Sequence, residues 1–285
     1  MSKPNKLLFL LTIVTMIIGC TQQTAKNIPH TDTTIFKKAD ISYQLIISKD
    51  SVKKIVKSLD SLQTNIVMAV NRVDKQNLLK LDTLLLPLNL KEHIFNYLPF
   101  SVEVPYLKDI NKIIFFSYPS QTFAAYEKGK LVYTGPTSMG RKKDKTPTGL
   151  FYANWKAEET TSTFNDEWNL KWNFNIENDS GIGWHLYAMP GYPASHSCLR
   201  LTIADAQYLY QWADEWTLKG TDSVLAKGTP VIVFGSYPFG SSKPWFQLSA
   251  QAKALEITPP AIEALVKPHL TDILARQAET MQLKE

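Results

Sequence analysis

Two cysteines in 285 residues, Cys20 and Cys198, are too few for a disulfide-built scaffold, and five scattered histidines offer no zinc-ligand spacing. Glycine is also sparse, at twelve residues. Gly181-Ile182-Gly183 lacks the third glycine of a dinucleotide-binding loop, no Walker sequence exists, and no H-E-x-x-H is present, so no cofactor or metal is expected. Ser51-Val52-Lys53-Lys54 fits S-x-x-K, but no S-D-N or K-T-G accompanies it. The apolar run Leu7 to Ile18 falls short of the roughly 20 residues that a membrane-spanning helix needs. Charge is nearly balanced, with 31 Lys and Arg against 26 Asp and Glu, which gives no electrostatic case for nucleic acid. What the chain does have is apolar mass: 44% hydrophobic residues, including seven Trp, twelve Tyr and thirteen Phe. That is enough for a sizeable core and excludes disorder, collagen and coiled coil as global descriptions.

Two lysines and no acid in Met1 to Lys6, followed by the short apolar run, form a signal-peptide pattern over residues 1–19. The next residues, Met16-Ile17-Ile18-Gly19-Cys20-Thr21, resemble the lipobox of bacterial lipoproteins. The resemblance implies cleavage before Cys20 and lipidation of its thiol, hence a lipid-anchored protein on the periplasmic side of the cell envelope, with the choice of membrane open. Cys198 is then a lone thiol in an oxidising compartment. It must be either a buried structural thiol or chemically used.

Residues 20–40 are polar and aperiodic and read as a tether. Residues 41–105 read as a small α/β unit of strand, two short helices and strand, with Val52, Ile55, Val56 and Leu59 at helical spacing. Within it, Ile66 to Val73 and Leu81 to Pro87 resemble the second half of a LysM peptidoglycan-binding module, with Leu81 where that module commonly has Gly. Glycan binding and simple packing both remain open for this unit.

From 111 to 236 the texture is mainly β, with short strands at Lys112 to Phe116, Thr122 to Glu127, Lys130 to Tyr133, Leu150 to Trp155, Gly183 to Leu186 and Pro230 to Phe234. Lys128-Gly129 predicts a hairpin turn. One helix stands out, with Thr202 as N-cap and Ala206, Leu209, Tyr210, Ala213 and Trp216 on one face. Residues 237–285 form a linker and a helical extension interrupted at Pro268. Oligomeric state is not readable. The aromatic stretch from Trp155 to Trp184, with Trp168, Trp172 and Phe174, suits a cleft wall and core packing equally.

The chemistry concentrates at Ser195-His196-Ser197-Cys198-Leu199-Arg200, with His185 thirteen residues before the cysteine. A thiol becomes a nucleophile near neutral pH when an imidazole or a cluster of amide dipoles stabilises its thiolate. Spacing alone leaves His185 and His196 as rival bases. Gly191-Tyr192-Pro193-Ala194-Ser195 reads as a turn presenting Cys198, and the amides that follow could form an oxyanion site.

This constellation, with Ser138-Met139-Gly140 and Lys145-Thr146-Pro147-Thr148-Gly149-Leu150-Phe151 upstream, resembles the L,D-transpeptidase (YkuD-type) catalytic domain. The resemblance runs from about Lys112 to Phe234 and implies a β-sandwich-like fold with flanking helices. It assigns Cys198 as nucleophile, forming a thioester with a peptidoglycan stem peptide. His185 becomes the base, oriented by the Leu186 carbonyl, and the amides of His196, Ser197 and Cys198 the oxyanion donors. Arg200 is expected at a substrate carboxylate, with a purely structural role as its alternative. An amine acceptor gives a 3→3 crosslink, water gives an L,D-carboxypeptidase or endopeptidase, and a disabled site leaves a wall-binding lipoprotein. The departure is Ser197, where the motif has Gly. The expectation is that the position requires only a small side chain, rather than a positive φ.

Overall fold

A computed structural model describes residues 38–162, 169–221 and 223–283. The signal-peptide and Cys20 readings, and Trp168, lie outside these residues. The described residues form one compact unit, so residues 41–105 are packed into the same body as the β domain.

The N-terminal part runs β1 (Tyr43–Ile46), α1 (Lys49–Ser58), α2 (Ser61–Asn71), a single-turn α3 (Lys75–Leu78) and β2 (Leu84–Pro87). β1 and β2 pair antiparallel. The strand, helices, strand order follows the sequence reading. Asp60 starts α2 with a reciprocal capping box to Gln63. At its other end the buried Asn71 amide donates to Leu85 O at 2.8 Å and accepts Leu85 N–H at 2.8 Å, pinning α2 to β2.

Next come β3 (Lys112–Ser117), β4 (Thr122–Glu127), β5 (Lys130–Pro136), β6 (Gly149–Tyr152), β7 (Lys156–Thr161), β8 (Asn169–Glu177), β9 (Ile182–Leu186) and β10 (Leu199–Leu201). They are followed by α4 (Ile203–Trp212), β11 (Thr217–Lys219), β12 (Ser223–Ala226), β13 (Pro230–Phe234), α5 (Pro259–Val266) and α6 (Leu270–Gln282). Two sheets carry the domain: five strands ordered β5-β4-β3-β13-β6 and four ordered β10-β9-β8-β7. Their facing sides meet in one core, with Ile114, Phe116 and Phe123 from the larger sheet against Phe174, Trp184 and Leu199 from the smaller.

The larger sheet is covered on its other side too. Ile113, Phe115 and Tyr126 pack against Ile262, Val266 and Ile273 of the C-terminal helices. Burial on both faces explains why β3 reads Ile-Ile-Phe-Phe without alternation. The C-terminal extension breaks where Pro268 predicts, in a 3-10 turn at Lys267–His269 between α5 and α6.

Three local expectations differ in detail. The hairpin β7 and β8 was not legible as strands, because its apolar residues are interrupted by charge and β8 is bulged between Lys171 and Phe174. Of its aromatics, Phe174 is fully buried against Trp184 in the core and is not a cleft wall. Helix α4 stops at Trp212, so Trp216 lies beyond it; the buried stripe is Ala206, Leu209 and Ala213. The Lys128-Gly129 turn forms as expected, both residues having positive φ, 47° and 81°.

Candidate active site

Strands β9 and β10 lie side by side and parallel, with Arg200 in register with His185 and Leu199 with Trp184. Side chains alternate faces along a strand, so Trp184, Leu186, Leu199 and Leu201 turn toward the core while His185 and Arg200 take the other face. Cys198 falls on that same face, two residues before Arg200. His185, Tyr187, Ser195, His196, Cys198 and Arg200 line one small pocket there, with Leu170 of β8 on its wall. Gly183 is needed for this assembly, because a Cβ there would stand 2.3 Å from Phe174 O on β8.

His185 is 5% exposed, and its Nδ1 lies 3.0 Å from the Leu186 carbonyl oxygen. A carbonyl can only accept, so Nδ1 carries the proton and Nε2 keeps a free lone pair. Burial lowers the imidazole to about 4; the Leu186 carbonyl raises it, and the nearby Arg200 charge lowers it further. Burial likewise pushes the Cys198 thiol up, opposed by a Gly183 backbone hydrogen bond and by Arg200. The resting pair is therefore neutral thiol beside neutral imidazole. In this state the thiol lies toward Gly181 O, 3.8 Å from Sγ.

The loop before Cys198 is tied down from one side by residues 138–146. Ser195 N–H donates to Met139 O at 3.1 Å, Arg141 N–H donates to Ser195 O at 3.0 Å, and Ser138 and Arg200 exchange two backbone bonds at 3.1 Å. Thr146 is the central brace: its hydroxyl accepts Gly140 N–H at 2.9 Å and donates to Ser197 O at 2.7 Å. Tyr118 closes the same knot, donating to Gly140 O and accepting Thr146 N–H at 3.2 Å. Gly140 permits this closeness, since a Cβ there would meet Asp144 O at 2.2 Å.

Ser197 has φ = 84°, so the expectation that only a small side chain is needed at this position is overturned. The turn requires the left-handed region that glycine enters freely and serine enters at a cost. Serine is held there by Thr146 on its carbonyl, with its own hydroxyl 3.4 Å from Asp144 O. Among the described residues, the Ser197 and Cys198 amides donate to no carbonyl, which leaves them available to an oxyanion.

The remaining predicted residues fall as follows. His196 Nε2 is 4.0 Å from Asp144 Oδ2, on the loop side of the pocket. Arg200 lays its guanidinium 4.4 Å over the Tyr187 ring and donates to Ala188 O at 3.4 Å. Leu186 contributes its carbonyl to His185, while its side chain packs on the core.

Four residues were missed: Tyr187, Thr146, Tyr118 and Asp74. Tyr187 had a signal, since the residue two after His185 on a strand shares its face. Thr146 stands in the Lys145 to Phe151 stretch, where nothing local announces its role as the loop's brace. Tyr118 and Asp74 carry no local signature. Among the described residues, no group of three His, Cys, Asp or Glu side chains is placed to hold a metal ion.

A two-sheet domain with a carbonyl-oriented histidine on β9 and a cysteine immediately before the parallel strand β10 makes a candidate cysteine acyltransferase or hydrolase. Residues 111–233 match the model of the YkuD family, the L,D-transpeptidase catalytic domain. Among solved structures, an L,D-transpeptidase from Stackebrandtia nassauensis is 19% identical, with 66% of this chain and 78% of that one covered and a TM-score of 0.39. L,D-transpeptidases from Mycobacterium smegmatis and Mycobacterium tuberculosis are 21% and 22% identical. Each covers 44% of this chain, with 59% and 58% of their own chains and a TM-score of 0.35. This chain thus spans under two thirds of either mycobacterial enzyme. Among curated proteins, none matches.

Proposed function

We propose that the protein is a peptidoglycan L,D-transpeptidase that uses Cys198 as nucleophile and His185 as general base. The observation that carries this reading is the shared pocket of the two side chains, with Nδ1 of His185 committed to Leu186 O and Nε2 left to act. His185 Nε2 takes the thiol proton as sulfur attacks the carbonyl carbon of the third stem-peptide residue. The Ser197 and Cys198 amides stabilise the oxyanion. Collapse expels the terminal D-amino acid, whose amine takes the proton from His185, and leaves a thioester on Cys198. An acceptor amine then attacks the thioester, loses a proton to Nε2 and releases Cys198, giving a new amide crosslink.

Arg200 supports the site electrostatically and presents a guanidinium to a substrate carboxylate at the pocket edge. The protein is further proposed to be anchored in the envelope through lipid on Cys20. The mass of the mature N-terminal peptide tests that: it should begin at Cys20 and carry acyl chains.

A tetrapeptide muropeptide assay with wild type and Cys198→Ala tests the activity itself. Crosslinked dimers from wild type only are expected. Tripeptide alone would assign the protein as a hydrolase. Absence of both, together with no carbapenem adduct by intact mass, would reduce it to a wall-binding protein.

A further inference from the structure

A cavity of about 100 Å³ lies away from the nucleophile, where the end of α2 meets Lys38 to Tyr43 and the segment from Leu248 to Glu256. Arg72, just after α2, lines it and is 1% exposed. Its Nε donates to Ser120 O at 2.9 Å, and its Nη1 donates to Ala69 O at 3.1 Å and to Val70 O. The guanidinium sits 5.1 Å over the Trp245 ring. Among the described residues, Nη2 has no hydrogen-bond acceptor and no carboxylate lies within ion-pair distance of Arg72.

An arginine buried without a counter-charge is costly unless something anionic completes it. Two more donors face the same space. Tyr43 lines the cavity close enough to feel the Arg72 charge, and its hydroxyl has no partner among the described residues. Lys38 lines it too, its ammonium donating to Phe100 O at 3.3 Å and to Leu98 O. The acids at the rim do not neutralise this set. Asp40 pairs with Lys253 at 3.2 Å, and Glu256 stands near Lys38, leaving one carboxylate against two inward cations.

We propose that this cavity is a binding site for a small oxyanion, phosphate or carboxylate in chemistry, held by the Arg72 guanidinium, the Tyr43 hydroxyl and the Lys38 ammonium. An arginine with unspent in-plane donors and a phenol beside it match oxyanion geometry. The bound anion would cross-link the Lys38 to Tyr43 segment, the end of α2 and the segment from Leu248 to Glu256. The site is independent of the reaction assigned to Cys198.

The test is thermal unfolding of the full-length protein in millimolar inorganic phosphate, with sodium chloride at matched ionic strength as reference and sodium acetate as a second arm. A saturable rise of a few degrees in Tm is expected with phosphate and absent in chloride. Tyr43→Phe and Arg72→Gln should shrink that rise or weaken its midpoint at least several-fold. If Arg72→Gln does not fold, Tyr43→Phe and Lys38→Met carry the comparison. An equal rise with acetate supports the site and makes carboxylates its ligands as well; a rise with phosphate alone restricts it to tetrahedral anions. No rise beyond chloride in the wild type overturns the proposal, as does a rise left intact in Tyr43→Phe and Lys38→Met.

Discussion

The Asp74 carboxylate accepts the backbone N–H of Met189 at 2.7 Å, while the Asp74 N–H donates to Met189 O at 3.1 Å. A residue of the N-terminal unit thereby grips the connection between β9, which carries His185, and the loop that presents Cys198. The grip sits three residues after Leu186, whose carbonyl orients the imidazole. Asp74 also caps α3 through Asn77 N–H at 2.8 Å, so one side chain fastens both segments.

Asp74→Ala should therefore lose about 1–3 kcal/mol of stability, the usual cost of stranding such donors. It should also slow acylation of Cys198 by about tenfold through misplacement of His185. Asp74→Asn, which keeps an acceptor, should recover most of the rate. Denaturant midpoints and stopped-flow carbapenem acylation measure the two effects. Wild-type acylation in the alanine variant would show that the clamp holds the fold without positioning the base.

Ser197→Gly should raise Tm. Serine at φ = 84° pays a left-handed backbone cost of about 1 kcal/mol that glycine avoids, partly offset by glycine's greater freedom when unfolded. Ser197→Ala should not raise it, because alanine meets the same backbone restriction. Differential scanning calorimetry of the two variants decides the matter: stabilisation by alanine, or none by glycine, would remove backbone strain as the explanation.

Thr146→Val should be far more harmful than its conservative size suggests. It strands Gly140 N–H and Ser197 O together, at about 2 kcal/mol or more. The carbonyl it releases belongs to the residue before Cys198, so acylation should fall with stability. Thr146→Ser retains the hydroxyl and should keep both near wild type in the same two assays.

Stability against pH carries a distinctive pair of opposed slopes. Buried His185 has its folded value lowered to about 4 from 6.5, so the unfolded chain binds more protons between those values. Its contribution of about 3 kcal/mol is present above pH 6.5 and is lost as pH falls toward 4. Buried Asp205 has its folded value raised to about 6 from 3.8, and its contribution of about 3 kcal/mol runs the other way, present in acid and lost as pH rises through 6. The two nearly cancel between pH 4 and 6. Asp205→Asn should unmask a stability that climbs with pH across that range, and His185→Gln one that declines; urea unfolding at stepped pH measures both.

Arg200 lowers the proton affinity of both His185 and Cys198. In wild type the acylation rate should drop on the acid side near pH 4 and rise again as the thiol ionises above its ordinary range. Arg200→Gln should move both inflections to higher pH. An unshifted profile with only a raised KM would instead confine Arg200 to substrate binding.

The pocket around Cys198 was legible because its residues are local: Ser195 to Arg200 is one continuous stretch, and His185 lies on the strand expected from Gly183 to Leu186. Most strands, the α4 cap and the break at Pro268 were legible for the same reason. The hairpin of β7 and β8 was not, because its pairing is stabilised by a partner strand and not by its own pattern.

Residue types and their order along the chain decided by themselves that a cysteine, two histidines and an arginine would share one short region, and that Lys112 to Phe116 would form a strand. Only the three-dimensional fold set His185 apart from His196, by placing β9 parallel to β10 and supplying the Leu186 carbonyl. It alone set the φ of Ser197, brought Thr146 beneath that turn, and carried Asp74 to Met189, 115 positions away. Those relations depend on which backbone groups meet across long loops, and a backbone N–H or C=O has no identity in the sequence that could announce its partner.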